Sequence, residues 1–313
     1  MAVDKRVLVT GARGFVGRHA IEPLLGLGYE VHAVGRGQRP TDLSTHAAWH
    51  DGDLLDTRGH TALFKRVRPS HLLHFAWYAT HGSFWTSVEN FRWTAASLGL
   101  LIAFHEAGGG RVVCAGTCAE YDWRYGFCSE DVTPLHPLTP YGGCKNALRE
   151  MLHHYAGREG LSWAWGRLFH LYGPHEQEHR LVPSIVLSLL DGSPAACGEG
   201  RAVRDYLYVE DAAHAFVTLL DGPVQGPVNV ASGLPVAISD LVARIATSLG
   251  RPELIEWGAR PARLEEPPLL VADVRRLNGQ VGWRPRLSLD QGLARTIDHY
   301  QALRRRSSSS IAT

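Results

Sequence analysis

Apolar residues fall along this chain in short β-branched runs separated by longer stretches with helical spacing. The runs predict strands over residues 6–10 (RVLVT), 30–34, 70–76 (SHLLHFA), 111–115 (RVVCA) and 162–168 (SWAWGRL). The stretches between them predict helices over 14–27, 86–107 and 141–157. Strands alternating with helices imply an α/β fold, a doubly wound parallel sheet buried on both faces. Past residue 175 the regularity breaks into Pro- and Arg-rich segments such as HEQEHRLVPSIVLSLL and GARPARLEEPPLLVADV. The expected organisation is a main domain over 1–175 and a smaller α/β lobe over 176–303 that sends strands and helices back to it. The terminal RRRSSSSIAT, residues 304–313, reads as a disordered tail.

Composition narrows the partner. The 313 residues are 45% hydrophobic and 20% charged, and 32 basic against 31 acidic side chains leave a formal charge of +1. Nothing favours electrostatic capture of nucleic acid or an anionic membrane, so a small molecule is expected. MAVDKRVLVTG lacks the apolar core of a signal peptide, and no run is long enough to span a bilayer. An odd set of five cysteines without a CxxC pair suits reduced thiols in the cytoplasm. The seventeen histidines form no HxH or HExxH arrangement, so no metal site is expected.

The first predicted strand runs directly into Thr10-Gly11-Ala12-Arg13-Gly14-Phe15-Val16-Gly17 and then a helix. Glycines at 11, 14 and 17 in that context allow a tight turn, close backbone approach to a pyrophosphate, and an anion at the positive end of a helix dipole. Arg13, Phe15 and Val16 line the same turn. After the second strand, where an NAD-specific site usually carries an acidic residue, stands Gly35-Arg36-Gly37. With no carboxylate to repel a 2′-phosphate and Arg36 able to grip one, NADP(H) is preferred, with NAD(H) kept open. Asp53, followed by Leu54, either accepts from the adenine amino group or is a surface turn residue.

The chemistry concentrates in TPYGGCKNALREML, where Tyr141 and Lys145 lie four residues apart on one helix face behind Pro140. A phenol near pKa 10 is a poor proton shuttle at neutral pH unless an adjacent ammonium and a nicotinamide ring draw it down. Upstream, Thr117 ends the strand RVVCA-GT, at the carboxyl edge where open α/β sheets bind ligands. Its hydroxyl is a candidate to hold the substrate oxygen.

Taken together, TGARGFVG, GTCAEY, YGGCK, RLFHLYGP, VRDYLYVEDAA and the late VGWRP resemble the extended short-chain dehydrogenases/reductases of the nucleotide-sugar epimerase and dehydratase group. The resemblance implies a Rossmann fold with a C-terminal substrate lobe, Thr117, Tyr141 and Lys145 as the catalytic group, and a nucleotide-diphosphate sugar as substrate. It also implies that Phe75, Ala76 and Trp77 line the nicotinamide side, that Leu168 abuts the cofactor, and that Arg204 grips the sugar nucleotide's diphosphate. His170 replaces the family's usual asparagine and, with Trp77, His81 and Cys118, is a candidate substrate contact. His175 lies near the cleft by the same match.

The departures narrow the reaction. Family dehydratases carry Asp-Glu after the catalytic hydroxyl, whereas here Cys118-Ala119 follows. The catalytic cysteine of the reductase-epimerases would stand at Ala119. What remains is an NADPH-dependent reductase of a keto group, C4 favoured, on a nucleotide-diphosphate 4-keto-6-deoxy sugar. The alternatives are an NAD-dependent 4-epimerase and, from another class, a non-catalytic NADP(H) sensor. The resemblance further implies a homodimer formed through residues 88–107 and 141–157, with Leu98, Leu101 and Ile102 on the first helix.

Overall fold

The computed structural model describes residues 5–260 and 267–311. Seven strands form one parallel sheet: β1 (Arg6–Thr10), β2 (Glu30–Gly35), β3 (Ala48–Asp51), β4 (His71–His74), β5 (Arg111–Thr117), β6 (Ser162–Leu168) and β7 (Gly226–Val230), in spatial order 7-6-5-4-1-2-3. This is the doubly wound Rossmann arrangement. The strand order reverses at β1, and the carboxyl ends of β1 and β4 flank the crevice where such sheets take ligands.

Side chains alternate across the strands, which explains both buried faces. Val7 and Val9 of β1 pack with α1 (Gly17–Gly26) and α6 (Val209–Asp221) through Ala20, Ile21, Leu24 and Phe216. Leu8 points the other way, onto α2 (His60–Val67), α3 (Glu89–Glu106) and α4 (Pro140–Glu159), where Phe64, Phe104 and Leu148 join it. Thr139 caps α4, its hydroxyl accepting from Gly142 N at 3.2 Å, and Pro140 occupies the first turn, where its missing N–H costs nothing.

The smaller lobe centres on Val203–Tyr208, which pairs with Pro235–Ala237, Leu269–Ala272 and His170–Tyr172. Its core joins α5 (Leu181–Leu190), α7 (Ile238–Ser248) and α8 (Leu289–Ile311) through Val186, Leu241 and Ile297.

Three expectations need correction. The strand expected over 70–76 ends at His74, because residues 75 and 76 leave the ladder to pack on the glycine turn. The helices expected from 14 and 86 begin at Gly17 and Glu89. The tail expected to be disordered from 304 continues α8 to Ile311. Leu293, Ile297 and Tyr300 anchor that helix and Arg304 pairs with Asp191, so each added residue gains a hydrogen bond without a new nucleation cost.

Candidate active site

The glycine turn is built so tightly that side chains are excluded from it. Gly11 has φ +68°, and a Cβ there would lie 2.8 Å from Ala76 N. A Cβ on Gly17 would lie 2.3 Å from the Gly11 carbonyl, while Gly14 N donates to that carbonyl at 2.8 Å. Beneath the turn, Thr10 Oγ1 bonds His74 Nδ1 at 2.8 Å and accepts from Ala76 N at 3.2 Å, tying β1 to the segment of Phe75 and Ala76. The turn thus presents backbone at the mouth of the crevice, and it fits the pyrophosphate of a dinucleotide.

At the end of β2, where NAD-specific sites carry an acidic residue, stands Gly35, and any side chain there would have to displace the Trp49 ring. A Cβ on Gly35 would sit 2.7 Å from Trp49 Cη2, and Trp49 Nε1 donates to Gly37 O at 2.9 Å. Arg36, the residue expected to grip a 2′-phosphate, is exposed, and its carbonyl accepts from Arg13 Nη1 at 2.6 Å. Arg13, Arg18 and Arg39 instead line a cavity of about 710 Å³ beside this loop. Asp53 is exposed and caps a turn, accepting from Leu55 N at 3.0 Å, while Leu54 is buried in the core.

Thr117, Tyr141 and Lys145 converge on the carboxyl end of β5. Thr117 Oγ1 accepts from Ala119 N at 3.2 Å, which leaves the hydroxyl proton to donate towards the Tyr141 phenol, whose ionised form it favours. Burial pushes that phenol up, opposed by the Thr117 bond and the charge of Arg180. Lys145 departs from expectation. Its ammonium donates to Ala115 O at 2.8 Å and sits 3.8 Å above the Trp77 ring, and burial draws it down to about 7. The groups that favour the phenolate are Thr117 and Arg180. The low dielectric around Lys145 is offset by the carbonyl and the indole face rather than by the phenol.

Residues with no assigned role in the sequence prove decisive for this geometry. Thr117-Cys118-Ala119-Glu120 forms a capping box, Glu120 Oε1 accepting from Thr117 N at 2.9 Å. Fully buried Glu120 also accepts from Trp165 Nε1 at 2.8 Å and pairs with Arg167 at 2.7 Å. Arg167 reaches the Tyr121 hydroxyl, which donates to Asn229 Oδ1 at 2.8 Å. The T-x-x-E spacing was the available signal. Phe84 and Trp85 stand edge-on to the Tyr141 ring at 5.0 and 5.7 Å, with Trp123 beyond Trp85, making an aromatic wall.

The substrate-side candidates divide. Trp77 turns to Lys145 and donates to Asn90 Oδ1 at 2.9 Å. His81 N is held by Gln177 Oε1 at 3.0 Å, joining its loop to residues 175–180. Cys118 is buried and its thiol is pushed up by burial. His170 is lowered to about 3 by burial and by Arg204 and Arg180, and its ring lies 5.8 Å from Tyr206. Buried Arg204 donates to Pro267 O at 2.7 Å. Leu168 ends β6 opposite Thr117. Among the described residues no group of His, Cys, Asp and Glu is placed to hold a metal ion, and no helix is long and apolar enough to cross a membrane.

Residues 7–231 match the model of the NAD dependent epimerase/dehydratase family. The chain is 27% identical over 323 residues to UDP-glucose 4-epimerase of Mycolicibacterium smegmatis, covering 95% of this chain and 98% of that one. Among solved structures, UDP-glucose 4-epimerase of Thermus thermophilus in complex with NAD matches with a TM-score of 0.85 at 29% identity, over 95% of this chain and 99% of that one. MoeE5 in complex with UDP-glucuronic acid and NAD matches with a TM-score of 0.84 at 30% identity, over the same shares of 95% and 99%. The glycine cradle, the Thr117–Tyr141–Lys145 cluster and these matches agree: the chain belongs to the NAD dependent epimerase/dehydratase family, the extended short-chain dehydrogenases/reductases that act on nucleotide sugars.

Proposed function

We propose that the protein is an NADPH-dependent reductase of a nucleotide-diphosphate 4-keto-6-deoxy sugar, acting at the C4 carbonyl. The observation that carries this reading is the end of β2. The position that would carry the acidic residue is Gly35, packed against the Trp49 ring, and guanidiniums gather beside it. A consumed NADPH suits a reductase, whereas a 4-epimerase regenerates its cofactor in each turnover.

Bound NADPH would be held by Gly11, Gly14, Gly17 and Arg13, and it supplies the hydride. The protein's own part is proton transfer and orientation. Tyr141 gives its hydroxyl proton to the oxygen that becomes the alcohol, and Thr117 donates to the same oxygen and holds the carbonyl in plane. Arg180 stabilises the phenolate that Tyr141 leaves behind. Lys145, freed from Ala115, would bind the nicotinamide ribose, and Arg204 the diphosphate. Elimination of water lacks its acid and base, because Glu120 is locked in the capping box and the Cys118 thiol is inert in its buried setting.

The likeness to UDP-glucose 4-epimerases favours a second reading, interconversion at C4 on a retained NAD. Purified protein with a 4-keto sugar and NADPH separates the two. Stoichiometric loss of NADPH absorbance supports reduction, and sugar interconversion without added cofactor supports epimerisation.

The reading extends to a homodimer. Phe91, Ala95 and Leu98 of α3 and Ala147 and Met151 of α4 line an open apolar groove, and Phe91 is 58% exposed. Leu101, by contrast, is committed to the sheet. The five cysteines are free and buried, in keeping with a cytoplasmic enzyme.

A further inference from the structure

We propose that the C-terminal helix α8 completes the site for the cofactor's 2′-phosphate, with His299 and Arg306 conferring selectivity for a 2′-phosphorylated adenosine. This rests on the NADPH reading and assigns part of it to the last turns of the chain.

The cavity beside the end of β2 has three walls. Arg13 and Arg18 come from the glycine turn and the start of α1, Arg39 and Asp42 from the loop after β2, and His299 and Arg306 from α8. It lies where a doubly wound fold presents the adenosine 2′ position. Among Arg13, Arg18 and Arg39 the charge is poorly balanced. Arg13 spends a hydrogen bond on the Arg36 carbonyl and Arg39 on those of Ala47 and Leu43, and none of these neutralises a charge. Asp42 matches Arg18 at 3.1 Å and is the one acidic side chain lining the cavity among the described residues. Like charges gathered in a partly desolvated space favour a multivalent anion.

Two further observations point to a ligand. Arg18 Nε and His299 Nε2, of residues lining the cavity, are buried without a hydrogen-bond partner, as is Nε2 of His19 behind His175. His175, one of two non-glycine residues with positive φ among the described residues, is held at +68° so that its ring meets those of His19 at 6.0 Å and His299 at 4.7 Å. Strained backbone of this kind persists where the surroundings over-determine it, often at ligand sites. Burial, with the Arg18 charge adding to it, lowers all three imidazoles from their ordinary value, so they add little to the repulsion.

The test is calorimetric, on the full chain, with adenosine 2′,5′-bisphosphate and adenosine 5′-monophosphate as probes. The wild type is expected to favour the bisphosphate. Arg306→Ala should then weaken the bisphosphate by about tenfold, the worth of one charge-assisted hydrogen bond, and leave the monophosphate unchanged. Arg306→Lys should recover part of the loss, which excludes misfolding as its cause. If the wild type favours the bisphosphate and neither Arg306→Ala nor His299→Gln alters the ratio, the role of α8 is overturned while the NADPH reading stands. If the wild type binds both probes equally, the NADPH reading falls and the role of α8 with it.

Discussion

Thr117 is fixed by atoms that take no part in proton transfer. Its backbone N–H goes to Glu120, its hydroxyl accepts from Ala119, and Glu120 is held by Trp165 and Arg167. Glu120→Gln would leave Arg167 buried without its counter-charge. It is expected to cost about 3–5 kcal/mol of stability, read as a lower urea midpoint at unchanged slope. Tyr141→Phe removes the proton donor and leaves the glycine cradle intact. Turnover should fall about 10²–10⁴-fold while NADPH still quenches protein fluorescence. A non-catalytic sensor, with no turnover to lose, would be indifferent to the change. The sequence motifs identified Thr117, Tyr141 and Lys145 as a cluster, but the direction of the Lys145 ammonium was not legible. It depends on Trp77 and the Ala115 carbonyl, which come from β4's exit and β5 and share no local pattern with α4.

At the scale of elements, strands with dense β-branched or aromatic runs were the most readable, and β1 and β6 have the bounds their composition predicts. β3 (AWHD) carries no such run, and its four residues take their conformation from the ladder to β2. α2 shows the 60, 63, 64, 67 stripe of a buried face, but with a histidine at its head it is too short for periodicity to stand out. At α3 and α4, helical spacing could not say which apolar residues meet the sheet and which a partner. The structure sends Leu101 inward and leaves Phe91 and Leu98 at the open groove. Light scattering of the wild type should give the mass of a dimer, and Phe91→Glu with Leu98→Glu should give that of a folded monomer. A monomeric wild type would reject the proposed interface.

Across the whole molecule, burial of histidines ties stability to pH. His74, between Thr10 and Ser97, is lowered to about 3, His170 to about 3, and His19 and His175 to about 4, against an ordinary value of 6.5. Between those values and 6.5 the unfolded chain binds protons that the folded chain refuses, so stability rises with pH and is lost on acidification. Glu176, held up to about 8 by burial, works the other way, as do Glu130 and Asp205, whose carboxyls burial also raises; against them His50, His71, His214 and His299 are lowered with the four above. Unfolding midpoints should therefore drop between pH 7 and pH 5, His74 contributing at most about 1.4 kcal/mol per pH unit, the limit reached below its unfolded value. His74→Gln should flatten part of that slope.

The central claim is that the fold carries out one irreversible hydride delivery to a sugar carbonyl. It is tested most directly by presenting the enzyme with a nucleotide-diphosphate 4-keto-6-deoxy sugar and NADPH deuterated at the transferring position, then weighing the sugar product. The account predicts a product carrying one deuterium on the reduced carbon, formed in step with oxidised cofactor. An epimerised sugar without deuterium, formed with no loss of NADPH, would contradict it.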